Sequence, residues 1–379
     1  MNLLISGDFY ISDDFQNKSL IEQSVIDLFE EADYRMINLE APITANIPQN
    51  AILKTGPHLH MSENTVMPYL TQLKVNAVTL ANNHIFDYGV EGLNNTFESL
   101  KKNKIDYVGA GNNLVEAVQT LTIEKDCIRI AILNFCENEW SVAEADKPGA
   151  NPMDIIDNTK QIKAAKATHD RVICIIHGGH EYYHLPSPRM QKQYRFYVDS
   201  GADAIIGHHT HCIGGYEIYN NVPIIYSLGN FLFTRMKKPK VWHTGLTVLL
   251  KINKKTIDFE LTAHFQDYKT FQIGLQNPKF QNKVKSQIYS INNTISNERL
   301  LLERWEQLIL ENSDNYLDIL SPSQFFYNKI IVLGLKKLKL NYLFMHRKQY
   351  KAILNQFRCE AHRDIALAAI KRFISKYAK

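Results

Sequence analysis

The chain has 379 residues, of which 45% are hydrophobic and 22% charged, and its formal net charge is +4. That length predicts one large domain with an appendage, or two domains, and the composition excludes collagen-like, mucin-like and disordered classes. Five cysteines, Cys127, Cys136, Cys174, Cys212 and Cys359, form no CxxC or zinc-finger spacing, which predicts a reducing compartment.

The first residues, MNLLISGDFYISDD, have no basic n-region leading into an apolar stretch, so no signal peptide is expected. No segment reaches the roughly 18 apolar residues that a spanning helix needs. A cytoplasmic protein is the expectation. Short apolar runs follow in order: NLLIS, YRMINL, NAVTLA, IRIAILNF, RVICIIHG, ADAIIGHH and PIIYSLGNF. Several are nearly continuous in aliphatic residues, as strands buried on both faces are. Helical spacing over 18–32, 89–103 and 188–200 alternates with them, giving the βαβ pattern of a layered α/β domain. From about 215 the pattern turns to hairpins, with Asn220-Asn221 between YEIY and VPIIY, and Asn253-Lys254-Lys255 between GLTVLLKI and TIDFELTAHF. Two stacked sheets flanked by helices are predicted over 1–270, and a helical, basic extension over 271–379.

That extension is charged unlike the rest. Residues 324–379 hold 13 Lys+Arg against 2 Asp+Glu, leaving 30 against 37 before them. On a helix, Ile331, Leu335, Leu338, Tyr342 and Met345 form one apolar stripe, with Lys329, Lys336 and Arg347 opposite. The pattern predicts a helix packed on the body or a partner, with peripheral contact to anionic lipid as the alternative. No recognition-module pattern accompanies the basic residues, so nucleic acid is not an expected partner.

Polar or ionisable residues stand just beyond one apolar run after another: Asp8, Glu40, Asn83 and His84, His177, and then His208, His209 and His211. The carboxyl ends of strands gather at one edge of an α/β sheet, where ligands bind. By itself Gly7-Asp8 reads as a turn and Asn82-Asn83-His84 as a helix cap. Converging, these positions offer mixed oxygen and nitrogen ligands suited to Mn, Fe or Zn. Alternation along an extended GHHTH segment points His209 and His211 to one side, as chelation requires.

The ordered set Gly7-Asp8, Asn38-Leu39-Glu40, Ala81-Asn82-Asn83-His84 with Asp87-Tyr88-Gly89, His177-Gly178-Gly179-His180-Glu181-Tyr182, Gly201-Ala202-Asp203, Gly207-His208-His209-Thr210-His211 and Ser227-Leu228-Gly229-Asn230-Phe231 resembles the CapA (poly-γ-glutamate capsule) family. The resemblance covers roughly 1–265. That family is similar to the calcineurin-like metallophosphoesterases, which implies a four-layer α/β/β/α sandwich holding one or two metal ions. It further implies that Asp8 and His211 bind the first metal, that Glu40 bridges, and that Asn83, His177 and His209 bind the second. His84 would protonate the leaving group, with Asp87 and Glu181 as further catalytic candidates. Two metals in such a site activate water and clamp phosphoryl oxygens for in-line attack.

Two departures are visible. The first motif usually reads Asp-x-His, and here its third position is Tyr10; Glu40 stands where phosphoesterases have Asp, as in the CapA family itself. Lys54, Lys147 and Arg189 are candidates to receive an anionic substrate, and Tyr182, Tyr183, Trp140 and Trp242 to stack on a sugar ring. Two functions follow as expectations. One is a metal-dependent phosphoesterase of capsule, exopolysaccharide or poly-γ-glutamate synthesis, acting on an anionic phosphoester or polymer. The other is a non-catalytic metal-binding subunit of the capsule synthesis or export machinery. Either would work in the cytoplasm or at the inner face of the membrane, the tail serving as contact; a membrane scaffold acting through the tail alone ranks below both.

Overall fold

The computed structural model describes residues 1–54, 56–319 and 329–338, with scattered positions between 350 and 374. In chain order the first sheet is built from β1 (Asn2–Tyr10), β2 (Tyr34–Leu39), β3 (Ala77–Thr79) and β4 (Asp106–Val108). A small ribbon, β5 (Ala110–Gly111) with β8 (Gly149–Ala150), stands apart. The second sheet takes β6 (Leu121–Lys125), β7 (Ile128–Cys136), β9 (Arg171–His177), β10 (Ala204–His208), β11 (Tyr216–Tyr219) and β12 (Val222–Ile225). The chain then returns to the first sheet as β13 (Asn230–Phe233), β14 (Thr244–Ile252), β15 (Ile257–Gln266) and β16 (Ile273–Gly274).

The first sheet runs β16-β15-β14-β1-β2-β3-β4, with β13 also paired to β1; the second runs β11-β12-β10-β9-β7-β6. Neighbours β1 to β4 are parallel, as are β7, β9, β10 and β12. Alternation along each strand assigns its faces. Leu3, Ile5, Met36 and Ala77 of the first sheet share one core with Ile130, Ile132, Ile173, Ile175 and Ile206 of the second. Leu4, Phe9, Ile37 and Val78 instead join Phe29, Leu70 and Leu93 of α1 (Gln23–Glu30), α2 (Glu63–Gln72) and α3 (Gly89–Lys102). On the second sheet Leu133, Phe135, Cys174 and Ile205 pack with α5 (Ile155–Thr168) and α6 (Pro188–Asp199), which follow the short α4 (Leu114–Ala117). The fold is thus mixed α/β, and the unbroken apolar runs are those of strands covered on both faces.

Both expected hairpins are present: Tyr219 faces Val222 across Asn220-Asn221, and Ile252 faces Ile257 across residues 253–256. The run PIIYSLGNF, expected as one strand, is two. Its first half is β12 in the second sheet and its last residues are β13 in the first, with the crossing made at Gly229, where φ is +66°. Beyond β16, α7 (Pro278–Ile295) starts at an Asn277 cap and buries Val284 and Ile288 in the core between the sheets.

The chain divides into two compact units, Met1–Leu302 and Glu303–Lys379. Most of α8 (Glu298–Ile319) and all of α9 (Lys329–Lys337) belong to the second. Of the tail stripe, Ile331 and Leu335 fall in α9 and Leu338 just beyond it, whereas Tyr342, Met345 and Arg347 lie outside the described residues. Among the described residues no helix is long and apolar enough to cross a membrane.

Candidate metal centre

The ends of β1, β2, β9 and β10 and the loop after β3 bring Asp8, Glu40, Asn83, His177, His209 and His211 together. A register shift at Gly7 in the pairing of β1 with β2 re-aims Asp8. The glycine is required there, because a Cβ at Gly7 would lie 2.0 Å from the Gly229 carbonyl oxygen. Asp8 is fully buried; its Oδ1 accepts from Asn38 Nδ2 at 2.8 Å and its Oδ2 from the His209 backbone N–H at 3.1 Å. His208 Nδ1 stands 3.3 Å and His211 Nδ1 3.6 Å from the same carboxylate. Burial raises the Asp8 carboxyl, but the close His208 and the surrounding imidazoles outweigh it and hold it below the usual carboxylate range.

Glu40 is also fully buried, and neither carboxylate oxygen has a hydrogen-bond donor. Burial, then the Asp8 charge, pushes its carboxyl well above the ordinary range. Its Oε1 lies 3.9 Å from His177 Nε2 and 3.6 Å from His211 Nε2. Two groups of potential ligand atoms lie within 4.8 Å of one another, Glu40-His177-His209 and Asp8-Glu40-His211, so Glu40 belongs to both. Asn83 completes the first group, its Oδ1 being 3.1 Å from His177 Nε2, which is 3.0 Å from His209 Nδ1.

A buried carboxylate with no donor, facing imidazole nitrogens and a second carboxylate, is costly unless a cation lies among them. The donor set, carboxylate, imidazole and amide oxygen, fits a divalent transition ion. Burial, followed for His177 by the charge of His209, keeps His177 well below the usual histidine range, and burial takes His211 to about 4. Both imidazoles are therefore neutral at pH 7, the form that ligates.

The GHHTH segment reaches this geometry by a route other than alternation. Its first two residues, Gly207 and His208, end β10; His209 and His211 have φ of +89° and +53°, so the chain bends rather than extends. Positive φ is strained for histidine, and the surroundings hold it. Thr210 Oγ1 donates to the Cys212 carbonyl and accepts from Ser227 Oγ, both at 2.9 Å. Asn230 Nδ2 donates to the Trp242 carbonyl at 3.0 Å, which turns its Oδ1 toward His211 Nδ1 at 2.9 Å. That bond keeps the His211 proton on Nδ1 and leaves Nε2 to face Glu40. Asn38 is fixed likewise: Thr79 donates to its Oδ1 at 3.1 Å, so its Nδ2 faces Asp8. Asn38 and Asn230 stand in quoted motifs without an assigned role, and their position beside ligand residues was the available signal. Ser141, which donates to the Asn83 carbonyl at 2.6 Å, lies in no motif.

His84 is buried, with Nδ1 2.7 Å from Asp87 Oδ2. Burial lowers its pKa, against the Asp87 bond that raises it. Lys54 donates to Asp87 Oδ1 and has Nζ 3.2 Å from His84 Nδ1, so this lysine is engaged in the His84 cluster. Arg189 pairs with Glu137 Oε1 at 2.7 Å, and Glu137 Oε2 accepts from Gly179 N at 3.0 Å, tying down the loop after His177. Lys147 lies 3.8 Å from Glu144. Glu181 is exposed, and its charge reaches Glu40 and His211. Tyr182, with φ of +64°, accepts from Lys238 Nζ at 2.9 Å. Trp140 is exposed, whereas Trp242, expected as a platform for sugar, is buried with its ring 4.3 Å from His211. Tyr10 packs its ring 5.0 Å from Phe233.

Fold and site together define a mixed α/β protein with two buried groups of potential metal ligands that share one carboxylate. The chain belongs to the family described as bacterial capsule synthesis protein PGA_cap, whose profile matches residues 3–235. It is 34% identical over 212 residues to the capsule biosynthesis protein CapA of Bacillus anthracis, covering 54% of this chain and 51% of that protein. It is likewise 34% identical over 217 residues to the PGA biosynthesis protein CapA of Bacillus subtilis (strain 168), covering 56% of each. The chain spans about half the length of the curated relatives it matches. Among solved structures it is similar to a phosphatase from Mycoplasma pneumoniae, with a TM-score of 0.44, 15% identity, and coverage of 72% of this chain and 95% of that one. A 5'-nucleotidase from Candida albicans SC5314 gives a TM-score of 0.40 and 12% identity, covering 81% of this chain and 57% of that one.

Proposed function

We propose that the chain is a metal-dependent phosphoesterase of capsule or poly-γ-glutamate production, holding up to two divalent ions of manganese, iron or zinc. The observation that carries this reading is Glu40, buried, without a donor, and common to both ligand sets. Asp8, Glu40 and His211 would hold one ion, and Glu40, Asn83, His177 and His209 the other. Bound there, such ions supply Lewis acidity toward phosphoryl oxygens and lower the pKa of water, from 15.7 to roughly 7 at the strongest. The chain's own part is positional and protonic. Asp87 holds His84 through Nδ1 and favours its imidazolium, the form in which Nε2 carries a proton to give to the leaving oxygen. Asn38 and Asn230 fix the carboxylate and imidazole that must not rotate. Tyr10, packed on Phe233, leaves the Asp8 set with three protein ligands, and an incomplete set is what catalytic sites use to admit water and substrate.

The names of the two CapA relatives support the setting in capsule and PGA biosynthesis. The same reading places the work on the cytoplasmic side, beside synthesis machinery or the inner face of the membrane, with the basic residues of 324–379 as the contact. A second reading, a non-catalytic metal-binding assembly subunit, is favoured by Tyr10 alone. Reconstitution with Mn, Fe or Zn followed by turnover of p-nitrophenyl phosphate decides. Metal-dependent turnover is expected; stoichiometric metal with no turnover of any phosphoester replaces the first reading by the second.

A further inference from the structure

Behind His211 stands an aromatic wall with a lysine on it and an arginine near by. His211 packs against Trp242 at 4.3 Å and Phe233 at 5.1 Å between ring centroids, and Phe233 against Tyr10 at 5.0 Å. Lys238 Nζ lies 4.4 Å above the Trp242 ring and 5.6 Å from the Tyr182 ring, and donates to the Tyr182 hydroxyl. Tyr182 is held for that contact by its own backbone N–H, which donates to the Thr210 carbonyl at 2.7 Å within the GHHTH bend. Arg235 stands three residues before Lys238, and its charge reaches Tyr10, Tyr182 and Lys238. Among the described residues no carboxylate lies within 4.0 Å of either cation. Lys54, Arg189 and Lys147, the cations the sequence offered for the substrate, all have carboxylate partners.

Two half-exposed cations without counter-ions are notable beside a centre this acidic. The charges of Asp8, Glu181 and Glu139 all reach Glu40, and they repel any anion that approaches. Lys238 is drawn toward this centre by Glu181 and Glu40 yet pairs with neither, so its charge is left for a ligand. The Tyr182 hydroxyl adds a donor. Its oxygen already accepts from Lys238, which holds the two groups together.

We propose that Arg235, Lys238 and the Tyr182 hydroxyl receive a second anionic group of the substrate, a carboxylate or a further phosphate, while the scissile phosphoryl group sits at the metal centre. The proposal rests on the phosphoesterase reading above and adds the substrate class: phosphoesters that carry another negative charge near the reacting one. His84 adjoins Asn83 of one ligand set, and the cations stand behind His211 of the other. Leaving-group protonation and anion recognition therefore use different parts of the site.

The test is calorimetric titration of the manganese-loaded full chain with three non-hydrolysable probes, metal content being measured before and after. Methylphosphonate has one anionic group, phosphonoacetate adds a carboxylate, and methylenediphosphonate adds a second phosphonate. Arg235→Gln and Lys238→Gln are each expected to weaken one or both two-group probes by roughly tenfold, the scale of a charge-assisted hydrogen bond. Methylphosphonate should change less than about twofold, and Lys238→Arg should restore binding. Loss confined to phosphonoacetate identifies the second group as carboxylate, and loss confined to methylenediphosphonate identifies it as phosphate. Equal effects on all three probes, or none on any, overturn the proposal. Turnover of p-nitrophenyl phosphate by the same proteins answers the other question: no turnover, with the two-group preference intact, overturns the hydrolase and leaves the anion site standing.

Discussion

Glu40 carries opposite consequences for the metal-free and the metal-loaded protein. In the absence of an ion its buried carboxylate has no donor and faces Asp8, an arrangement that costs stability. Glu40→Gln removes the charge and supplies an amide donor, so the chelator-treated variant should melt higher than the parent while binding manganese far more weakly. The pH dependence follows from the direction of the shift. A carboxyl whose folded pKa lies above its unfolded value of 4.5 contributes stability that is complete below 4.5 and lost as pH rises through the folded pKa. The melting advantage of Glu40→Gln should therefore grow as pH rises above 4.5 and close as pH falls toward it. Thermal melts in chelator at several pH values, with manganese titrations beside them, check both halves. His84 predicts a different signature. Its bond is to Asp87 and not to a ligand residue, so His84→Ala should keep its metal and lose roughly 100- to 10,000-fold in turnover. His177→Ala should lose metal instead, and like behaviour of the two variants would remove the division of roles.

At the scale of elements, the ligand residues were legible because each stands where an apolar run stops, and in a parallel sheet those stops share an edge. The orientation of the ligands was not legible. His209 and His211 converge through positive φ held by two contacts, Thr210 to Ser227 and His211 to Asn230, that depend on the chain crossing into β13. A single apolar run, PIIYSLGNF, gave no sign of that crossing, since both halves are equally apolar. Lys238 escaped notice for the opposite reason: it lies outside every motif, and only the wall formed by Trp242 and Tyr182 gives it a role. Gly7 was legible as a turn residue, but its cause is the approach of β13. Gly7→Ala would press a methyl group onto the Gly229 carbonyl, and backbone there cannot step aside. The variant should lose at least about 1–3 kcal/mol in urea unfolding of the chelated protein. Because the bulge aims Asp8, manganese affinity should fall as well. At the Asn220-Asn221 turn both residues already have positive φ, of 51° and 63°. Asn221→Gly there should leave stability within a few tenths of a kcal/mol or raise it, since glycine adopts that conformation freely.

For the whole molecule, composition and packing divide the chain at different places, and the difference is measurable. Composition changes near 270, where the strands end and the basic helical pattern begins. Packing places the division after Leu302, because Val284, Ile288, Ile295 and Leu301 of α7 and the start of α8 are buried. All six candidate ligands, His84 and the Lys238 wall precede either cut. A chain ending at Leu302 should therefore fold, hold the same metal as the full chain, and show the same rise in melting temperature with manganese. At a free metal concentration one hundred times the dissociation constant that rise corresponds to about 2.7 kcal/mol. A chain ending at 270 contains every ligand too, but it uncovers the faces of β11 and β15 on which Val284 and Ile288 pack, including Tyr216, Phe259 and Leu261. An apolar surface of that kind drives association. The shorter chain should aggregate, or melt lower than the chain ending at Leu302, even when saturated with manganese. Equal solubility and equal melting of the two truncations would show that α7 adds nothing to the fold and that the composition change marks the true edge of the metal-binding body.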